Sequence, residues 1–265
     1  MNGFSAEWLT LREPIDHAAR NKTVLDAVGD YLSKMVVPKV TDIACGTGST
    51  IRGMEPFVEK EIAWTLVDHD PLLLKEAERH TRSKKATLKT FDLNVELEEA
   101  INVDADLIST SAFLDLVSED WLQVMVATLK RKSKPFYAAL SYDGRAGLTP
   151  FHISDELVLK GFNAHQKTDK GFGPALGPNA AMTAIDLFEE AGFRVTEGQS
   201  DWVAGVDHPD FQGMLLEGWS DAASEIMPDQ RDAFDSWFDE RKSQISKGEL
   251  TNVFVGHVDF LAVPG

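Results

Sequence analysis

The chain contains one cysteine among 265 residues, Cys45, so an internal disulfide and a cysteine-based metal site are excluded. No stretch approaches the ~20 apolar residues that a membrane-spanning helix needs. The amino terminus also has no basic segment followed by an apolar run. We therefore expect a cytoplasmic protein with no membrane partner and no bound metal.

Positive charge is also scarce. The chain has 26 Lys and Arg residues and 43 Asp and Glu residues, which gives a net charge of −17. Most of the excess negative charge lies in residues 151–265. Such a surface repels phosphate backbones, which nucleic-acid-binding proteins neutralise with Lys and Arg. Two basic groups, residues 79–89 and 130–134, lie near predicted helix ends, where cations complement the helix dipole. The charge pattern therefore argues against a nucleic-acid partner.

The most informative segment is residues 40–50, VTDIACGTGST, in which a short apolar strand leads into a glycine turn and a helix start. Asp42 lies inside the strand, and Ala44 marks its end. Gly46 and Gly48 supply the unhindered backbone that lets a polar ligand approach the main chain. This arrangement predicts a binding site for a nucleotide-like cofactor.

Three further strand candidates follow, at residues 62–67, 86–91 and 105–108. Each ends in small or polar residues, which are Asp68 and His69, Asp92 followed by Leu93, and Ser109 to Ser111. Open parallel sheets bind ligands at the carboxyl ends of their strands, so these side chains are predicted to share one crevice.

This ordered set resembles the class I S-adenosylmethionine-dependent methyltransferases, whose first strand and turn read roughly D/E-x-x-x-G-x-G, as Asp42, Gly46 and Gly48 do here. The resemblance covers about residues 35–200. It implies S-adenosylmethionine as cofactor and S-adenosylhomocysteine as product, with Asp68 on the ribose and an amino-terminal helix over the cofactor. The cofactor-binding residues implied are Arg20, Asp42, Ala44, Gly46, Gly48, Asp68, His69, Asp92, Leu93 and Ser109, with Arg20 meeting the methionine carboxylate.

The main alternative within the same fold class is a nicotinamide dehydrogenase, whose glycine fingerprint requires a third glycine three residues after the second. Ile51 occupies that position, and a β-branched side chain there prevents the close helix crossing. The alternative hypothesis of a protein that binds S-adenosylmethionine without turnover stays open, because the matched residues would serve binding in either case.

The implied fold is a single α/β domain spanning residues 1–265, with a Rossmann-like, doubly wound, mostly parallel seven-stranded sheet and an antiparallel last strand. We expect a helix at residues 15–35, begun by Pro14, and a cofactor-binding half at residues 36–146. The fifth strand is predicted to begin at FYAAL and to leave the sheet through SYDGR at residues 141–145. Residues 147–178 and a helical hairpin at 207–248 are expected to be insertions that form a lid.

The candidates for a catalytic base are Asp115, Tyr142 and His165, all on segments that leave the carboxyl edge of the predicted sheet or lie in the first insertion. The chain lacks the Asn/Asp-Pro-Pro-Tyr/Phe signature of amino-directed nucleic-acid methyltransferases, since STSAFLD occupies that place. A small-molecule acceptor is therefore preferred, methylated on oxygen or nitrogen before carbon, with a protein side chain as the alternative. A homodimer is possible.

Overall fold

The computed structural model describes residues 5–81 and 86–265. Its strands are β1 Lys39–Ile43, β2 Ala63–Asp68, β3 Ala86–Thr90, β4 Leu107–Ser111, β5 Phe136–Thr149, β6 Phe193–Gln199, β7 Trp202–Ala204 and β8 Asn252–Pro264. Its α-helices are α1 Ala6–Ala19, α2 Lys22–Leu32, α3 Ser49–Met54, α4 Pro71–His80, α5 Leu97–Ile101, α6 Glu119–Arg131, α7 Asp155–Gln166, α8 Ala180–Glu190, α9 Pro209–Ile226 and α10 Arg231–Ser246. Of the basic group at residues 79–89, residues 82–85 lie outside this described part.

The strands form one sheet in the order β3-β2-β1-β4-β5-β8-β6, and the short β7 pairs with β8. Strands β1 to β5 pair in parallel, whereas β8 runs antiparallel to β5, β6 and β7. The predicted fold class is confirmed. One strand, β7, is additional to the seven expected. It pairs with β8 at residues 253–255, whereas β6 pairs with β8 at residues 258–264.

Apolar side chains form two clusters, one on each face of the sheet. Successive strand residues alternate between them, as Leu107 and Ile108 do on β4, because side chains along a strand point to opposite faces. One cluster includes buried residues of α5, α6 and α8, and the other includes residues of α2, α7, α9 and α10. Both faces are covered, as a parallel sheet requires.

The amino-terminal segment differs from the single helix expected at residues 15–35. Pro14 lies inside α1 rather than at its start. The helix is interrupted at Arg20 and Asn21, which separate α1 from α2. The Asn21 side chain accepts a hydrogen bond from the Val24 N–H at 3.1 Å, and the Asn21 N–H donates to Asp259 Oδ2 at 2.9 Å. Because of this cap and this tertiary contact, a second helix begins after Asn21. The helical periodicity of the sequence had predicted one continuous helix through this position.

Strand β5 also differs from expectation, because residues 141–145 do not leave the sheet. The strand continues to Thr149 and pairs with β8 throughout, with irregularities between Ala138 and Ser141 and between Tyr142 and Ala146. Leu140, with a φ of 54°, lies at the first irregularity. Ser141 and Tyr142 pair with β8 and the pairing resumes from Ala146 to Thr149, so the first insertion begins at Pro150.

The insertions pack together through a buried ion pair between α7 and α10. The fully buried Arg241 donates through Nη2 to Asp155 Oδ1 and Oδ2 at 2.5 and 2.6 Å. Trp237 Nε1 and the His152 N–H also donate to this carboxylate, at 2.8 and 2.9 Å. Because both charges are removed from water, the remaining lone pairs have to be satisfied in this way. The pair fixes the connection after β5 against the helices of the second insertion.

No helix within the described residues is long and apolar enough to cross a membrane.

Replacing Asp155 with Ala leaves the Arg241 guanidinium buried without its counter-charge. We expect the free energy of unfolding in urea to fall by about 3–5 kcal/mol. The matched control is Asp239→Ala, which removes an exposed carboxylate 2.9 Å from Lys242 and is expected to cost less than about 1 kcal/mol. Equal, small losses in the two variants would contradict the assignment of the buried pair as the main tie between α7 and α10.

Candidate functional site

The turn after β1 is held in a left-handed conformation that opens its backbone toward the crevice. Ala44, Gly46 and Gly48 have φ angles of 51°, 53° and 75°. The Gly48 N–H donates to the Cys45 carbonyl at 2.9 Å, and the Cys45 N–H donates to the Val67 carbonyl at 3.0 Å. A Cβ on Gly46 would lie 3.2 Å from Leu9 Cδ1, so both its positive φ and the close approach of α1 favour glycine.

Asp68, the last residue of β2, binds this turn directly. Its Oδ2 accepts a hydrogen bond from the Gly46 N–H at 2.8 Å, and its Oδ1 accepts one from the Asp70 N–H at 3.0 Å. Each carboxylate oxygen has a second lone pair. Asp68 therefore positions the glycine turn and keeps acceptor capacity for a pair of ligand hydroxyls.

Asp42 lies on β1 beside Ser109 of β4 and is fully buried. The Ser109 hydroxyl donates to Asp42 Oδ1 at 2.7 Å, whereas Oδ2 has no hydrogen-bond partner among the described residues. Burial raises the pKa of Asp42 to about 6, against the lowering effects of Ser109 and of Thr50, the other hydroxyl beside the carboxyl.

Helix α1 covers the turn through three polar contacts. Glu13 accepts from Arg52 Nε and Nη2 at 2.5 and 2.6 Å, and His17 Nε2 lies 2.9 Å from Ser49 Oγ. At the end of the helix, Arg20 donates to the Tyr137 hydroxyl at 3.2 Å and to Ser111 Oγ at 3.3 Å. Asp42 and Asp68 are nearly inaccessible to solvent in this arrangement.

Beneath α1 the buried charges are unbalanced. Asp16, Asp42 and Asp259 surround Arg20, and burial raises the pKa of each of these three carboxyls. Asp16 Oδ1 and Arg20 Nε, like Asp42 Oδ2, have no hydrogen-bond partner among the residues that the structure describes. Buried polar atoms are normally paired. Arg12 Nε, 3.2 Å from Asp16 Oδ2, is the second cation of this cluster.

Of the predicted cofactor residues, Asp42, Gly46, Gly48, Asp68 and Ser109 are brought together at the carboxyl ends of the central strands, and Arg20 joins them from α1. His69 and Asp92 are exposed, and Asp92 Oδ1 accepts from the Asn94 N–H at 2.9 Å. The Leu93 side chain is buried in the core, and its carbonyl accepts from Trp121 Nε1 at 3.0 Å. Contact of Asp92 and Leu93 with an adenine ring stays a prediction.

The three candidate bases have different surroundings. Asp115, after β4, is partly exposed, and its pKa is raised to about 6 by burial while Arg12 and Lys170 act to lower it. Tyr142 donates its hydroxyl to Asn163 Oδ1 at 2.6 Å, and burial raises its pKa. A carboxyl with that pKa is the better proton acceptor near neutral pH.

Both ring nitrogens of His165 have partners. Nε2 lies 3.1 Å from Glu225 Oε2, and Nδ1 lies 3.2 Å from Lys170 Nζ. This arrangement leaves no free ring nitrogen for an acceptor. A base role for His165 would require both contacts to break.

Sequence reasoning missed three buried polar residues of this region, Asp16, His257 and Asp259. Asp16 lies one helical turn from both Arg12 and Arg20, a spacing that could have signalled it. His257 and Asp259 interrupt the apolar last strand. Polar residues in a strand that is buried on both faces are a usable signal for a site, because each one needs a partner.

In the part of the chain that the structure describes, no group of three or more His, Cys, Asp or Glu side chains could hold a metal ion.

Comparison with known proteins gives a fold but no close relative. No protein-family model matches the chain, and no curated protein matches it. A cyclopropane-fatty-acyl-phospholipid synthase-like protein from Lactobacillus casei ATCC 334 is 14% identical with a TM-score of 0.53, over 98% of this chain and 94% of that one. A protein named as a presumptive methyltransferase from Bacillus halodurans C-125 is 12% identical with a TM-score of 0.52, over 92% and 100%. The YcgJ protein from Bacillus subtilis is 10% identical with a TM-score of 0.51, over 92% and 99%.

At these identities the similarity establishes the fold. The chain has the Rossmann-like fold of the class I S-adenosylmethionine-dependent methyltransferases, with the antiparallel β8 inserted between β5 and β6.

The buried Asp42 predicts a specific pH dependence of stability. Its pKa is raised from 3.8 to about 6 in the folded protein, so its contribution to stability is lost as pH rises from about 4 through 6. We therefore expect the free energy of unfolding in urea of Asp42→Asn, relative to that of the wild-type protein, to rise by up to about 3 kcal/mol over this pH range. Above this range the difference should stay constant. A difference that does not vary with pH would contradict the buried, unpaired state of Asp42.

Proposed function

We propose that this protein is an S-adenosylmethionine-dependent methyltransferase that acts on a small molecule. The observation that carries the proposal is the hydrogen bond from the Gly46 N–H to Asp68 Oδ2 at 2.8 Å, in a sheet with the β3-β2-β1-β4-β5-β8-β6 order. It joins the backbone turn that admits a cofactor to the carboxylate that accepts ribose hydroxyls.

The charge of the site supports a sulfonium cofactor over a dinucleotide. Three buried carboxyl groups, Asp16, Asp42 and Asp259, lie around Arg20, and Arg12 is ion-paired with Asp16. The ammonium and sulfonium of S-adenosylmethionine would meet the free Asp42 oxygen, and its carboxylate would meet Arg20. The pyrophosphate of NAD would be repelled by the same carboxylates.

The cofactor would supply a methyl group on a good leaving group, so the protein has mainly to align the acceptor and exclude water. Well-oriented reactants reach effective molarities of ~10⁵ M or more. Asp42, Arg20 and Asp68 would hold the cofactor, and the Asp115 carboxylate, whose raised pKa matches that role, would accept the proton that the acceptor releases.

A small acceptor is favoured by the closed character of the region around Asp115 and Tyr142. Helix α1 covers one side, and Asn163 of α7 binds the Tyr142 hydroxyl from the other. The negative charge of residues 151–265 opposes a nucleic-acid acceptor. A protein side chain is the alternative acceptor, and it would need an approach between α1 and α7.

Calorimetric titration tests the cofactor assignment. We expect S-adenosylmethionine and S-adenosylhomocysteine to bind with micromolar affinity and NAD not to bind. Asp68→Ala should weaken both by about tenfold or more, because the ribose hydroxyls lose a charged acceptor. Asp104→Ala, which removes an exposed carboxylate near Lys39, is the control and should leave the affinities unchanged. Binding of NAD alone would indicate an oxidoreductase instead.

The pH dependence of binding gives an independent check. A bound ammonium favours ionised Asp42, so below about pH 6 the affinity for S-adenosylmethionine should fall by up to about tenfold for each pH unit. Asp42→Asn should lose this dependence. Asp115→Asn, which removes a carboxyl whose pKa is also raised to about 6, should keep it. The opposite pattern in the two variants would assign the ammonium contact to Asp115.

A further inference from the structure

Asp259 lies on β8 between the apolar residues Val258 and Phe260 and is fully buried. Each of its carboxylate oxygens accepts a hydrogen bond from a backbone N–H. Oδ2 accepts from Asn21 at 2.9 Å, and Oδ1 accepts from Leu140 at 2.7 Å. Burying a carboxyl group costs free energy unless it is hydrogen-bonded. An apolar residue at this position would avoid that cost, but it would leave both N–H groups without an acceptor. Asp259 therefore ties the segment around Asn21 to the segment around Leu140.

The segment around Leu140 is a β-bulge in β5. Ala139 and Leu140 both lie opposite Asp259, because the pairing of β5 with β8 passes over one residue there. Ala139 is also the last residue of β5 that pairs with β4. The carboxyl group of Asp259 thus holds β5 at the point where this strand leaves β4. Both of its partners are donors, so the position requires two acceptor oxygens, which a carboxylate has and an amide lacks.

The segment around Asn21 is the junction between α1 and α2, and it is bound to the sheet. The Asn21 side chain caps α2 through Val24, and its Nδ2 donates to the Gln199 carbonyl of β6 at 2.9 Å. A Cβ on Gly198 would overlap the Asn21 side chain, so glycine there allows the junction to approach β6. Together with Asp259, these contacts fix the peptide group between Arg20 and Asn21 against β6 and β8.

The bond to Asp259 decides how α1 ends. In a continuing α-helix, the Asn21 N–H would donate to the carbonyl four residues earlier in the chain. Arg20 instead has non-helical backbone angles, with φ −53° and ψ 134°, and the Asn21 N–H donates to Asp259. Asp259 thus replaces the helical hydrogen bond. It also sets the backbone conformation from which the Arg20 side chain extends.

The Arg20 side chain reaches from this junction to the cofactor edge of the sheet and is only 6% exposed. It donates to the hydroxyl of Tyr137 and to that of Ser111, the last residue of β4. A Cβ on Gly53 of α3 would lie 2.8 Å from Arg20 Nε. The guanidinium therefore lies between the carboxyl end of β4 and the helix that follows the glycine turn. Its Nε has no hydrogen-bond partner among the described residues, so at least one N–H is left for a ligand.

We propose that Asp259 is a positioning residue for cofactor recognition. By accepting the Asn21 N–H, it fixes the backbone of Arg20 so that the guanidinium lies where the carboxylate of S-adenosylmethionine binds. This inference rests on the proposed methyltransferase function. Both oxygens of Asp259 are bound to the backbone, so Asp259 acts on the cofactor through Arg20 and not by contact. Its removal should therefore weaken only those ligands that carry the carboxylate.

Calorimetric titration with two ligands tests this role. S-adenosylhomocysteine carries the amino-acid carboxylate, whereas 5′-methylthioadenosine keeps the adenosine and the thioether and lacks the carboxylate. We expect Asp259→Ala and Arg20→Met each to weaken S-adenosylhomocysteine by about tenfold or more. The affinity for 5′-methylthioadenosine should change by less than about twofold. The double variant should bind S-adenosylhomocysteine as Arg20→Met does, because two changes that remove one contact do not add.

Asp201→Ala is the matched control, since Asp201 Oδ1 accepts from a different backbone N–H of β8, that of His257, at 3.1 Å. This variant should leave both affinities unchanged. An equal loss for the two ligands in Asp259→Ala would indicate a general structural role and overturn the inference. Unchanged binding of S-adenosylhomocysteine by Asp259→Ala, or additive losses in the double variant, would overturn it as well.

A second pair of variants removes the same hydrogen bond from the other partner and serves if Asp259→Ala does not fold. Asn21→Pro deletes the N–H, and the Asn21 φ of −70° suits proline. Asn21→Ala loses the same side-chain contacts but keeps the N–H. We expect Asn21→Pro to bind S-adenosylhomocysteine about fivefold or more weakly than Asn21→Ala, with equal affinities for 5′-methylthioadenosine. Equal affinities for S-adenosylhomocysteine in this pair would contradict the inference.

The wild-type protein separates this inference from the proposed function. If it binds neither ligand, the methyltransferase assignment fails and the inference fails with it. If it binds S-adenosylhomocysteine and Arg20→Met binds this ligand equally well, the cofactor assignment stands and the positioning role of Asp259 is wrong.

Discussion

The hydrogen bond between the Gly46 N–H and Asp68 is the interaction on which the site depends. It fixes the end of β2 to the turn after β1, so the left-handed turn and the carboxylate form one unit. Only a parallel pairing of β1 and β2 brings these two ends to the same edge of the sheet. Helix α3 then starts at Ser49, directly after the left-handed Gly48 that ends the turn.

The same edge gathers charges that a folded protein would otherwise avoid burying. Asp16, Asp42 and Asp259 are held there with Arg20, and several of their polar atoms have no partner among the described residues. Burying unpaired polar atoms costs about 1–3 kcal/mol each, so this cluster lowers the stability of the fold unless a ligand pairs those atoms. Asp16 lies on α1, and Arg20 follows its last residue. One segment of the chain therefore both covers the turn and contributes two charged residues to this cluster.

The acceptor side is built by elements that are distant in sequence. Strand β8 brings His257 next to β5, α1 brings Arg12, and α7 holds the Tyr142 hydroxyl through Asn163. The buried pair of Asp155 and Arg241 fixes α7 against α10 and so sets the position of that wall. The same buried pair therefore contributes to the stability of the insertions and to the position of Asn163 beside Tyr142.

The sequence alone determined the central strands, the glycine turn and the acidic strand ends, because these depend on local patterns and on the rule that parallel strands end at one edge. It also predicted Arg20 beside the crevice. It could not reveal the break at Asn21, which needs Asp259, nor the partners of His165, which come from Glu225 sixty residues away. The position of His257 beside Tyr142 was decided only by antiparallel pairing of β8 with β5. Long-range pairing and burial set which polar atoms are left free, and no local pattern in a chain encodes those distances.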